Sequence, residues 1–187
     1  ALMSMTKSSD EAHQSMVIDA IVTKKATWAQ SILLADLPKV RTAQIGGLIQ
    51  LQGVQGIAGI WAASAKSGVD ALAVGEAISS LSANEFMKKQ VAGMDRLPLN
   101  QQIILMVYGS YRQWSAVKTA VWRAVQSNAP TREAGYYCLP KWVSANDFDI
   151  LAGKLSTTEL AHEVKALQTG MTQVLKLDPN ASKGITK

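Results

Sequence analysis

Apolar residues along this 187-residue chain recur at helical spacing far more often than they alternate. Val17, Ile21, Trp28 and Ile32 follow at intervals of 4, 7 and 4, one face of a 3.6-residue period. Ser8-Ser9-Asp10-Glu11 stands just before them, and hydroxyls and acids there satisfy the orphan amides of a first turn. The spacing predicts a helix running to about Leu34 and stopping before Pro38. Ser82-Ala83-Asn84-Glu85 and Ser156-Thr157-Thr158-Glu159 both have the form of a capping box. Asn100 precedes the longest helical pattern, Gln101 to about Gln126, closed by Ser127-Asn128-Ala129-Pro130. Ser144 with Asp147 marks another start. The last helix reads Leu160, Val164, Leu167, Met171, Val174, a 4-3-4-3 stripe, followed by a polar, flexible tail over 178–187.

The best strand candidate, Leu48 to Ile60, alternates poorly, and four glycines lie from Gly47 to Gly59. The pattern therefore predicts an all-α fold of six or seven helices in a multi-helix bundle. It is read as one domain over 1–187, with packed lobes at 1–98 and 99–177 as the finer division.

Between Arg41 and Lys66 lie 24 residues without a charge, long enough for a membrane span. Four glutamines and five glycines oppose simple insertion, because each amide needs a partner in lipid. Gly53, Gly56 and Gly59 recur every third residue, with Ala58, Ala62 and Ala65 following, a stripe that lets another backbone approach closely. A tightly packed, partly buried helix is the expectation; a membrane-active helix over 42–65 and an irregular loop or strand are the alternatives.

Composition narrows the chemistry. At 48% apolar and 18% charged, the chain has the make-up of a folded domain and not of a disordered one. Its single cysteine, Cys138, excludes an internal disulfide framework and a thiolate zinc cluster. His162-Glu163 is followed by Val164-Lys165-Ala166, so the second histidine of a zinc-protease motif is missing. His13 lies among polar residues of the first helical turn. No phosphate-binding loop, dinucleotide fingerprint or nucleophile elbow occurs. These observations predict no catalytic residues, no metal and no cofactor, with Cys138 a buried structural thiol; a nucleophilic Cys138 paired with distant His162 is the alternative.

The net charge of +5 is local. From Arg96 to Lys141 there are six cations (Arg96, Arg112, Lys118, Arg123, Arg132, Lys141) and one acid, Glu133. The same stretch carries six of the eleven aromatics: Tyr108, Tyr111, Trp114, Trp122, Tyr136 and Tyr137. Helical geometry places Ile103, Val107, Trp114, Val117 and Val121 on a core stripe. Tyr108, Tyr111 and Trp122 fall on a neighbouring edge with Arg112, Lys118 and Arg123. Tyr, Trp and Arg anchor protein interfaces; cations interleaved with aromatics also suit single-stranded nucleic acid.

Gly135-Tyr136-Tyr137-Cys138-Leu139-Pro140, then Val143, a helix ending near Leu155 and another apolar helix, resemble the C-terminal half of small helical immunity proteins. These are the Rap/Tai-like proteins that neutralise peptidoglycan amidases delivered by type VI secretion. Tyr108-Gly109 is similar to that group's aromatic-glycine helix. The resemblance covers about 101–177. The chain departs from the group in lacking a second cysteine to pair with Cys138 and in carrying roughly 90 further N-terminal residues. The resemblance implies a periplasmic or secreted protein that binds and occludes an enzyme.

Together these readings give a non-catalytic protein that binds a partner with an acidic surface. The binding residues are Tyr108, Tyr111, Arg112, Lys118, Trp122 and Arg123, with Tyr136 and Tyr137 as second choices. Nucleic-acid binding and membrane activity are the alternatives, and a homo-oligomer is compatible with all three.

Overall fold

Helices and short 3-10 turns make up the regular structure of the described residues, and none of those residues forms a strand. The structure, a computed structural model, describes residues 10–29, 33, 40–82, 84–127 and 129–186. It is an all-α multi-helix bundle. The chain divides into two compact units, residues 1–108 and 109–187; the sequence pattern placed its lobe division ten residues earlier, at 98/99.

The first unit holds α1 (Glu11–Thr23), α2 (Arg41–Gln52), α3 (Ile57–Ser64), α4 (Ala71–Ser79), α5 (Glu85–Val91) and most of α6 (Leu99–Tyr111). Asp10 caps α1, its carboxylate accepting from the Ala12 amide at 2.9 Å. The helix ends eleven residues before the expected Leu34. Lys25 turns left-handed (φ 48°), and its amide donates to Val22 O while Ala26 N donates to Ile21 O, the paired bonds that close a Schellman corner. Val17 and Ile21 are buried as expected, but Trp28 lies beyond the corner and is 74% exposed. Ile32 and the expected stop before Pro38 fall outside the described residues.

The uncharged stretch is not one helix. Gly53 (φ 54°) closes α2, a 3-10 turn follows over Gly53–Gly56, and α3 begins at Ile57. No helix among the described residues is long and apolar enough to cross a membrane. The Gly53/Gly56/Gly59 stripe does not bring another helix close: Gly59, Ala58, Ala62 and Ala65 are exposed, a Cβ at Gly53 would meet nothing within 4 Å, and at buried Gly56 the atoms nearest a Cβ are those of the Gln52 side chain of its own segment. Close approach is made instead by Gly47, where a Cβ would lie 3.2 Å from Val22 Cγ2 of α1, and by Gly75, where it would lie 2.7 Å from Val107 Cβ. Ile45, Leu48, Ile60, Ile78, Met87, Ile104 and Leu105 fill this unit's core, each contributing about 1.5–3 kcal/mol by burial. Gln101 Nε2 donates to Trp61 O, and Asn100 Nδ2 donates to Lys66 O, both at 2.8 Å. At α5 the cap is Asn84, which accepts from the Phe86 and Met87 amides. Ser82 does not cap; its carbonyl accepts from the Tyr108 hydroxyl at 3.0 Å.

The second unit holds the end of α6, then α7 (Ser115–Gln126), α8 (Arg132–Cys138), α9 (Phe148–Leu155) and α10 (Ala161–Leu177), with 3-10 turns over Leu139–Lys141, Ala145–Asp147 and Ala181–Thr186. The single helix expected over 101–126 is broken. Gln113 adopts φ 55°, Gln113 N donates to Ser110 O and Trp114 N to Gly109 O, a second Schellman corner. Gly109 permits the sharp turn: a Cβ there would lie 2.5 Å from Val117 Cγ2. Gly135, inside α8, allows close approach to α7, where a Cβ would meet Ala124 Cβ at 2.8 Å and the Val125 amide at 3.1 Å.

The Ser144–Asp147 capping box is present. The one expected at Ser156–Glu159 is not: Thr157 and Thr158 hydroxyls donate back to Lys154 O, so this run closes α9, and α10 begins without a side-chain cap at Leu160. On α10, Leu167 and Val174 are fully buried, whereas Leu160 is exposed. The expected flexible tail contains the 3-10 turn Ala181–Thr186, which packs against α9.

Candidate functional site

Charge separates the two units. Residues 109–187 hold ten Lys and Arg against six Asp and Glu, net +4, whereas residues 1–108 hold nine against eight.

Within the second unit, α7 is amphipathic by strict register. Val117, Ala120, Val121, Ala124 and Val125 are buried. Between them Ser115, Lys118, Thr119, Arg123 and Gln126 are exposed and Trp122 is half-buried, one continuous outer face. The helix carries no Asp or Glu at any position. Lys118 and Trp122 are four apart and therefore adjacent on the surface. Arg123 lies in the last turn, where the helix dipole favours a cation. Half-buried, Trp122 keeps part of its surface in water, area that an aromatic anchor buries further on contact.

A second aromatic–cation element lies at the end of α6. Tyr111 is 44% exposed, and Lys141 Nζ sits 3.9 Å from its ring centroid, a cation–π contact. Arg112 and Tyr137 are half-buried.

Two of the residues expected on this face are not on it. Tyr108 is fully buried and belongs to the first unit, tied to Ser82. Residues 104–110 are all buried, so this part of α6 has no outward edge and the helical spacing alone could not orient Tyr108. Tyr136 is 1% exposed in the α8 core, its hydroxyl 3.4 Å from Arg132 Nη2. Arg132, counted among the surplus cations, is committed elsewhere. Its Nε donates to Glu163 Oε1 at 2.6 Å and its Nη2 to Glu163 Oε2 at 2.8 Å, while Nη1 reaches Ser127 O. Glu163 is 2% exposed. The hydrogen bonds from Arg132 hold its carboxyl below the usual range, against the opposing effect of burial, and the same pairing raises the Arg132 guanidinium. The partners stand 31 residues apart, and no local pattern signals the pair.

The cysteine motif is core. Cys138 is buried, and burial pushes its thiol up to about 12 despite a hydrogen bond to Ser110. Ser110 Oγ also accepts from Trp142 Nε1 at 2.7 Å, so hydroxyl, indole and thiol lock the end of α6 to the segment after α8. A thiol so placed is protonated at neutral pH and is no poised nucleophile. His13 lies 3.4 Å from Asp10 on the exposed start of α1, and His162 is exposed on α10. No group of three or more His, Cys, Asp or Glu among the described residues could hold a metal ion.

Comparison with protein-family models, with curated proteins and with solved structures finds no match.

Proposed function

We propose that this chain is a non-catalytic binding protein that engages an acidic surface of a partner protein through the outer face of α7, with Tyr111 and Lys141 beside it in the same unit. The observation that carries the reading is the acid-free face itself: Lys118 and Arg123 exposed around a half-buried Trp122 on a helix without a carboxylate. Desolvating the indole supplies affinity, and the flanking cations supply orientation and encounter rate. This is the mode by which an immunity-type protein would occlude an enzyme, in keeping with the resemblance of residues 101–177.

The test is affinity capture from an extract of the native host, comparing the wild-type chain with K118E/R123E and with W122A. A captured protein should bind K118E/R123E about tenfold or more weakly, because like charges would then face each other. Capture unaffected by both variants would refute the reading. Parallel titration with a single-stranded oligonucleotide separates the nucleic-acid alternative, whose affinity would fall log-linearly with salt.

A further inference from the structure

The first unit carries the two halves of a separate contact, a knob and a groove, on and just after one helix. The knob is Trp28, at 74% the most exposed large apolar side chain among the described residues. It stands in the 3-10 turn Thr27–Ala29 just beyond the Lys25 corner, flanked by exposed Lys24 and Lys25.

The groove lies between α1 and α2 and is lined by Ile18, Asp19, Val22, Thr23, Ala43, Gly46, Gly47 and Gln50, with a volume of about 470 Å³. That is within the roughly 300–1,000 Å³ of pockets that take a small organic molecule, ample for an indole ring. Gly46 is the informative residue. A glycine inside a helix costs about 1 kcal/mol relative to alanine. Here no close packing requires it, since a Cβ at Gly46 would meet nothing within 4 Å. A side chain there would project into open space and fill the groove. Val22 and Ala43, over buried Ile18, give the apolar part of the lining, Thr23 and Gln50 the polar part, and exposed Asp19 adds one negative charge.

We propose that two copies of this chain associate by reciprocal exchange, the Trp28 of each seated in the α1–α2 groove of the other. The chemistry of knob and groove is complementary: the amphipathic indole meets a lining part apolar and part polar, and Lys24 and Lys25 meet Asp19. Reciprocal exchange about a two-fold axis satisfies both halves at once and closes the assembly at a dimer, where one-way insertion would instead propagate head to tail. The two rings together remove about 300–500 Å² from water, below the roughly 1,200–2,000 Å² of a stable interface. The dimer is therefore weak and concentration-dependent. Its residues all lie in the first unit, so it stands or falls independently of the α7 face.

The test is sedimentation equilibrium on the full chain from about 1 μM to about 1 mM. The expected result is a monomer–dimer equilibrium that W28A weakens about tenfold or more, as loss of an aromatic anchor does. G46L should abolish dimerisation while leaving helicity and thermal stability equal or higher, which distinguishes a filled groove from a misfolded variant. D19K and K24E/K25E should each weaken association, and the combined variant should recover it. A monomer throughout the range, growth beyond a dimer, or dimerisation unaffected by W28A and G46L would overturn the proposal.

Discussion

Replacing Arg132 by methionine leaves the Glu163 carboxylate at 2% exposure with its guanidinium removed. Removing one partner of a buried ion pair costs about 3–5 kcal/mol. The Arg132 side chain keeps 30% of its surface in water, so solvent reaches the vacated position and the expected loss is about 2–3 kcal/mol at pH 7. The mirror change E163M should cost less, because the stranded guanidinium can turn to solvent while the stranded carboxylate cannot. R132M/E163M should recover much of the loss, with apolar groups replacing both charges.

The pH dependence gives the decisive signature. Glu163 is depressed in the folded wild type, so the pair's contribution is full above the unfolded carboxylate value of about 4.3 and is lost as pH falls through the lower folded value. In R132M, burial without a partner raises that carboxyl instead, so the variant's deficit shrinks as the group takes up a proton. Urea denaturation followed by far-UV circular dichroism should therefore show the gap between wild type and R132M narrowing from pH 7 toward pH 4.5. A loss under about 1 kcal/mol at pH 7, or a gap that does not change with pH, would refute the reasoning.

The glycine contacts give a matched pair of alanine substitutions. G135A should destabilise by about 1–3 kcal/mol, because the Val125 amide that its Cβ meets is backbone and cannot swing aside. G153A, in α9 with nothing within 4 Å of its Cβ, should stabilise by up to about 1 kcal/mol; equal effects in thermal melts would sink the packing argument. Cys138, with its thiol at about 12 and buried, should resist a thiol-specific reagent at pH 7.5 and react only at the rate of unfolding. Rapid stoichiometric labelling of the folded chain would contradict that placement.

Elements with a local chemical signature were legible in the sequence. Asp10 and the Ser144–Asp147 box mark helix starts because the groups that satisfy the first amides stand within three residues of them. The corners at Lys25 and Gln113 were not legible: both residues take a left-handed conformation that usually marks glycine, so the pattern ran helices straight through them. The Ser156–Glu159 run failed for a related reason, since hydroxyls serve a helix end as readily as a beginning. Spacing put Lys118, Trp122 and Arg123 on one helix edge, and the three lie on the outer face of α7. It could not show that Tyr108 and Tyr136 point inward, or that Arg132 is held by a residue 31 positions away. Burial on every side of residues 104–110 is a tertiary property with no periodicity of its own.

The division between the units falls at Tyr108/Gly109, inside α6, where residues 104–110 are buried. Separate domains usually meet in an exposed linker. Here a cut at the division would leave one fragment three residues short of its last helix and hand the other three residues that cannot nucleate a turn. Limited proteolysis should consequently spare this point. Dissecting the protein into independently expressed pieces will require fragments that overlap, each carrying its own copy of α6, instead of two that abut.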